Sequence, residues 1–311
     1  MMKFNTLLIV MTLGTSCIGY SQKTTFDYFD QPTVYEAGIS FGPMNSLTDI
    51  GGKKGNGARG LKDLNFKNTN LNAGIYGKVL YKNLFGVRLD VNFGKIEASD
   101  ADLVDVKSTA IDRYSRNLSF RSKIFEVNVL GEVYPLTLFG NAGPVYVSHA
   151  FSPYILAGLG VFHFNPQTKL NSQWINLQPL RTEGEGFSEY PDRKVYHKTQ
   201  IDIPFGIGAR YQVSDNINLS LDFLFRKLFT DYLDDVSTTY IDPTLFQKYL
   251  SGDDLANALA LNNRAGQDPQ HPDRQYVSPG DRRGNSSRND HFFSLNVKVG
   301  YVFPYKTSTR R

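Results

Sequence analysis

Val87-Arg88-Leu89-Asp90-Val91-Asn92-Phe93-Gly94 puts an apolar residue at every odd position and a polar residue or glycine at every even one. Period two is the signature of a β-strand whose two faces meet different surroundings. Working outward, the same alternation recurs at about 34–44, 71–81, 119–134, 151–164, 200–211, 217–229 and 290–303, which with 85–97 makes eight runs. In 201–211, for example, Ile201, Ile203, Phe205, Ile207, Ala209 and Tyr211 oppose Asp202, Pro204, Gly206, Gly208 and Arg210.

A soluble antiparallel sandwich also alternates, so length and face chemistry decide. Soluble strands run roughly 5–6 residues, whereas most of these runs are about twice that, enough at a tilt of ~45° to cross an apolar band of ~25 Å. The polar face carries both charge signs: Arg88, Asp90, Glu126, Glu132, Asp202, Arg210, Asp222 and Arg226 are expected as a charge network inside a narrow barrel. The predicted fold is all-β: an eight-stranded antiparallel transmembrane β-barrel of up-and-down order. An eight-stranded interior is filled by its own side chains, which argues against a porin or a protein conduit.

The connections alternate in length. Long segments (45–70, 98–118, 165–199, 230–289) alternate with turns at Lys82-Asn83-Leu84 and Ser214-Asp215-Asn216 and a medium connection at 136–150. Outer-membrane barrels have short periplasmic turns and long extracellular loops, which places both termini in the periplasm. Lys95, Lys123 and Lys227, the basic exceptions on the lipid-facing phase, then fall at the extracellular rim, where anionic lipid headgroup phosphates would tolerate them. The Arg residues of 266–288 could pair with lipopolysaccharide phosphates or, more plainly, with acidic loop residues.

The N-terminus reads as a signal peptide: Lys3, the apolar stretch Leu7-Leu8-Ile9-Val10-Met11, then Gly19 and Ser21 ahead of Gln22. Cleavage after Ser21 removes Cys17; lipidation of Cys17 is the alternative, although Leu13 sits one position too far upstream for it. The expected organisation is a signal peptide (1–21), a short periplasmic segment (22–33), the barrel (34–303) and a periplasmic tail (304–311). A net charge of +4 gives no argument for nucleic acid.

Three carboxylates in Asp231, Asp234 and Asp235 suggest calcium, but the spacing is not an EF-hand's, and a solvated or internally salt-bridged loop is the plainer reading. Asp100, Asp102 and Asp105 read the same way. His291 with Ser294 and Glu126, or His163 with Ser152, are conceivable catalytic groupings, yet no nucleophile motif surrounds either serine. No enzyme activity, cofactor or metal is expected. Gly266 to Arg288, rich in Gly, Pro, Asp and Arg, predicts a mobile extracellular loop, and 241–263 predicts a helical lid starting near Pro243.

Arg226-Lys227-Leu228-Phe229-Thr230-Asp231-Tyr232-Leu233-Asp234-Asp235-Val236-Ser237-Thr238-Thr239-Tyr240 resembles the small outer-membrane barrels typified by PorG of the type IX secretion system of Bacteroidota. Arg116-Asn117-Leu118-Ser119-Phe120-Arg121-Ser122, Tyr190-Pro191-Asp192-Arg193, Pro204-Phe205-Gly206-Ile207-Gly208 and Arg282-Arg283-Gly284-Asn285-Ser286 extend the resemblance over most of the chain from 116 onward. It implies a non-enzymatic component tying a periplasmic ring, made of a PorK-like lipoprotein and a PorN-like protein, to the outer membrane. The alternative class is a free-standing OmpA-type barrel that stabilises the envelope or binds a surface ligand. A lipid-modifying barrel enzyme is a third class. Contact with a ring would fall on the short-turn side, where Leu136, Leu138, Phe139, Val145 and Tyr146 are more apolar than a solvated turn needs, with Lys306, Arg310 and Arg311 adding charge.

Overall fold

The computed structural model describes residues 32–51, 68–103, 115–139, 151–267 and 277–304. The leader, the segment before Pro32, Val145, Tyr146, Lys306, Arg310 and Arg311 lie outside them.

Eight long strands form the wall: β1 (Thr33–Leu47), β2 (Asn70–Tyr81), β3 (Phe85–Ser99), β4 (Ser119–Val133), β5 (Phe151–His163), β8 (Thr199–Gln212), β9 (Ile217–Leu228) and β10 (His291–Val302). Every pairing is antiparallel between neighbours in the order β3-β2-β1-β10-β9-β8-β5-β4, and the β3–β4 pairing completes the circle. The barrel is therefore closed, with no edge strand left in its wall. Asn83 and Lys82, both at positive φ, make the tight β2–β3 turn that right-handed strand twist favours, closed by Leu84 N–H to Tyr81 O at 2.9 Å.

Alternation decides which side chains face out. The exposed face carries an aliphatic middle zone that includes Ile39, Ile75, Leu89, Val129, Ile155, Leu159, Ile207 and Leu221. Tyr35, Tyr81, Phe85, Phe151, Tyr211 and Tyr301 ring it at the short-turn end, and Phe41, Phe93, Phe125 and Phe205 toward the other. A continuous apolar band between two aromatic girdles is the surface a bilayer covers. Strands of 12–15 residues at a tilt of ~45° rise about 28–35 Å, matching that band. No helix among the described residues is long and apolar enough to cross a membrane.

The long connections depart from expectation. Segment 165–199 is no simple loop: β6 (Pro166–Leu170) and β7 (Gln173–Asn176) form a hairpin that continues the wall beyond the barrel, β6 pairing with the start of β4 at Arg121 and Ser122. The helical lid is split. Pro243 opens a 3₁₀ turn whose Thr244 N–H is capped by Asp242, α2 (Phe246–Tyr249) follows, and α3 (Gly252–Asn262) restarts after Ser251 with Gly252 at φ 58°. Phe246, Ala258 and Leu261 turn inward from these helices.

They join a second apolar core. Ile50, Leu118, Phe164, Leu177, Leu180, Phe187, Leu233, Val236 and Ile241 pack together and run on into the barrel mouth through Met44, Ile96, Phe120, Ile124, Phe162, Leu228 and Phe292. All four long connections thus contribute to one folded cap. The expected mobility of 266–288 is corrected over 277–288, which is described together with 266–267: Arg283 is buried, Thr239 bridges Arg282, and Tyr240 N–H donates to Asp281 O at 3.0 Å. Low hydrophobicity does not leave that segment loose, because its polar groups are bonded into the cap.

At the other end β4 runs into a short helix, α1 (Pro135–Phe139). Val34, Leu80, Tyr134, Tyr154, Leu156 and Val302 fill the lumen near it.

Candidate functional site

The lumen is occupied by a buried ion network. Arg88 points its Nε at Asp90 and its Nη2 at Asp222, each at 2.9 Å, and pairs with Glu132 as well. Lys78 sits 3.1 Å from Glu36 and 3.8 Å from Glu132, and Lys298 lies 3.5 Å from both Asp90 and Asp222. Tyr76 donates to Glu36 at 2.6 Å, Tyr134 to Glu132 at 2.8 Å, and Tyr154 to Asp222. The Arg210 guanidinium lies over the Tyr134 ring at 5.0 Å. Lys78, Arg88, Arg210 and Lys298 thus balance Glu36, Asp90, Glu132 and Asp222, which leaves this layer no net charge to draw an ion through.

Toward the mouth, Arg226 grips Glu126 in a two-pronged bond, Nε to Oε1 and Nη2 to Oε2, both 2.9 Å. Its Nη1 donates to Ser294 Oγ at 2.6 Å and Leu224 O at 2.9 Å. Asp202 is buried nearby, and neither of its carboxylate oxygens has a hydrogen-bond partner among the described residues.

The cap is held by a second network. Arg116 reaches both Asp100 oxygens, Oδ2 at 2.8 Å and Oδ1 at 2.9 Å, and donates to the carbonyls of Asp49 and Arg283. Arg283 bonds Glu183 at 3.0 Å and the Asp235 carbonyl at 2.7 Å. Glu183 in turn accepts from Ser237 N, Thr238 N and Thr238 Oγ1. Arg193 ties Glu183 O to Thr239 O and Oγ1. Asp235 takes the hydroxyls of Thr182 and Tyr196, each at 2.6 Å, while Asp234 takes Ile50 N–H and Val236 N–H.

The carboxylates here outnumber the buried cations. Burial, then the Asp49 charge, pushes Asp231 up to about 9 and Asp234 up to about 8. Burial, Asp235 and Glu183 push Glu185 up to about 8. Asp235 rises to about 6 on burial, checked by Arg283, Thr182 and Tyr196. Asp231, Asp234 and Asp235 are thus neither solvated nor arranged as cation ligands: no group of acidic or histidine side chains among the described residues could hold a metal ion. Asp100 is buried against Arg116, whereas Asp105 lies outside the described residues. A void beneath the cap, lined by Ile50, Leu118, Asp234, Leu261, Arg264 and Arg283 among others, has room for about one water molecule.

The catalytic groupings conceivable from sequence do not assemble. His291 faces outward beside Phe225, while Ser294 and Glu126 lie in the lumen on Arg226. His163 is exposed at one end of β5, and Ser152 is buried at the other.

At the short-turn end α1 leaves Leu136, Leu138 and Phe139 uncovered, Phe139 to 79%. Most of the stretches behind the sequence resemblance converge elsewhere: Arg116, Arg193, Asp231 to Tyr240 and Arg282 to Asn285 meet in the cap, whereas Pro204 to Gly208 lies in the wall on β8. Their convergence depends on contacts such as Arg283–Glu183, a hundred residues apart, and no local spacing signals it.

No family model matches the chain, and no curated protein matches it. Similar solved structures include Ail, the attachment invasion locus protein of Yersinia pestis, 11% identical over 86% of this chain and 99% of that one, with a TM-score of 0.35. Neisserial surface protein A is 10% identical over 88% and 98%, with a TM-score of 0.35. A major outer membrane protein from Thermus thermophilus is 12% identical over 88% and 100%, with a TM-score of 0.37. These are likenesses between barrels and say nothing of ligand or partner.

Proposed function

We propose that this chain is a non-enzymatic outer-membrane barrel that anchors a periplasmic assembly, with its cap on the cell surface. The observation that carries the reading is closure: lumen and mouth are both packed, so the molecule offers surfaces and no passage. Of those surfaces, the short-turn end presents Leu136, Leu138 and Phe139, an apolar group of the kind that marks an interaction site. The finer part of the proposal, a PorG-like component of the type IX secretion system that holds the PorK-like lipoprotein and PorN-like ring, rests on the sequence resemblance alone. Long connections at one end of the barrel and short turns at the other support this orientation by analogy with outer-membrane barrels in general.

The test is co-purification from detergent-solubilised envelopes. Ring proteins should come with the wild type, and replacing Leu138 and Phe139 with Ser should lower their yield while heat-modifiable migration persists. Undiminished recovery with the substituted protein would remove α1 from the contact, and absence of any periplasmic partner from the wild-type sample would sink the anchoring reading. A second reading, a free-standing barrel whose surface cap binds a ligand, is favoured by the cap's own apolar core and ion network.

A further inference from the structure

Lys95 and Lys123 face each other directly across β3 and β4 on the outward side of the wall. Like charges in that position repel, and strand pairing alone gives no reason for them. Lys123 is exposed and no ionic partner for it exists among the described residues. Lys95 is 2.8 Å from Glu97, the one acidic side chain on this face among the described residues. Register then adds more cations. Glu97 stands opposite Arg121, Arg121 opposite Gln167, and Lys169 opposite Trp174. The β6–β7 hairpin thereby extends the same outward face past the end of the barrel. The Arg121 guanidinium lies 3.4 Å over the Trp174 ring, and its Nε donates to Gln167 at 3.2 Å. Stacking of this kind holds the guanidinium in place while its remaining donors stay available.

Depth identifies the occupant. One outward step below the lysine pair, toward the middle of the barrel, Phe93 and Phe125 pack with ring centroids 4.8 Å apart and belong to the aromatic girdle. Side chains just above such a girdle lie at the level of lipid headgroups. Four cations against a single carboxylate at that depth complement the phosphates of a lipid whose acyl chains lie along the wall below. The opposite wall lacks this arrangement among the described residues: Lys227 is a single outward cation on β9, next to His291 and Phe229.

We propose that Lys95, Lys123, Arg121 and Lys169, together with Trp174, form a binding site for the phosphate groups of an outer-leaflet lipid of the lipopolysaccharide kind. The assignment to the outer leaflet rests on the orientation given under Proposed function. The site would clasp a lipid between the barrel rim and the β6–β7 hairpin.

Trp174 is the one tryptophan in the chain, so its fluorescence reports on this site. The folded protein in neutral detergent micelles is titrated with a bisphosphorylated lipid A, with phosphatidylcholine and with inorganic phosphate. A saturable change is expected with lipid A alone. Replacing Lys95, Lys123 and Lys169 with Gln should weaken the half-saturation about 100-fold, and Lys123→Gln alone, at an exposed position, should weaken it measurably without touching the fold. Lys227→Gln should titrate as wild type. Heat-modifiable migration establishes that each variant forms its barrel. An unchanged titration in both site variants, an equal response to phosphatidylcholine, or saturation by phosphate alone would overturn the proposal. Labelling of a cysteine placed in 277–288 on intact cells tests the orientation separately, since micelles have no inner or outer face.

Discussion

Asp202 and Glu126 share one cation, Arg226, yet Arg226 spends both prongs on Glu126. Asp202 is left buried with neither oxygen bonded among the described residues, and an uncompensated carboxylate in such a place is costly. Asp202→Asn should therefore leave the barrel as stable or more stable, read as an unchanged or higher urea midpoint of the heat-modifiable form. Arg226→Met should do the opposite, costing about 3–5 kcal/mol, because it strands Glu126 as well. The two variants lie a few ångströms apart and change the same charge balance in opposite senses, so a general sensitivity of this layer would show as losses in both. Alternation along each strand assigns such side chains to the inside and is readable without a structure. Their partners are not: Arg88 on β3 meets Asp222 on β9, across the lumen and four strands away round the wall, and no spacing along the chain encodes that meeting.

Strands were legible because each needs only its own period, and β1 to β10 begin and end within a few residues of the alternating runs, apart from the β6–β7 hairpin. That hairpin is short and alternates too briefly to be told from a loop. The cap was illegible for a different reason. Its stability is spread over four connections whose contacts join residues far apart in the chain, and 266–288 taken alone is polar enough to read as mobile. One element-scale constraint sits at the β1–β10 seam, where Gly38 and Gly300 face each other. A Cβ on Gly300 would overlap the Tyr76 hydroxyl and the Glu36 carboxylate. Gly300→Val should accordingly prevent closure, seen as loss of the heat-modifiable band. A second prediction concerns the cap's protons. Asp231, Asp234 and Glu185 hold theirs to about 9, 8 and 8 in the folded cap, whereas the unfolded segment releases them near pH 4. The folded state binds more protons throughout that interval, so cap stability falls as pH rises from about 4 to about 9 and levels off above. Hydrogen exchange in peptides covering 229–241, corrected for the chemical rate, should quicken between pH 6 and pH 9.5. Asp231→Asn should flatten that dependence; an identical profile in the variant would mean that other groups carry it.

At the scale of the whole molecule, the ion layer lies between the two ends of the barrel. The cap rests on the mouth through Phe162, Phe292 and Leu228, the short-turn end on Val34, Leu80 and Tyr134, and between them lies the rigid set from Glu36 to Asp222. Side chains that are packed and paired in this way leave no continuous water path. Purified protein in planar bilayers should show no large, stable conductance. Arg88→Met combined with Arg283→Ala, which loosens both closures, should raise brief openings above the level of either change alone. The same division makes the anchoring reading sharper. Arg283→Ala removes the side-chain bonds to Glu183 and the Asp235 carbonyl and should loosen the 277–288 segment on the cap, while α1 lies at the other end of the barrel. Recovery of periplasmic ring proteins should hence be unaffected by Arg283→Ala and reduced by Phe139→Ser, in the same detergent extracts and at equal barrel yield. The reverse pattern would place the partner contact on the cap, and the orientation or the anchoring role assigned to the short-turn end would have to be given up.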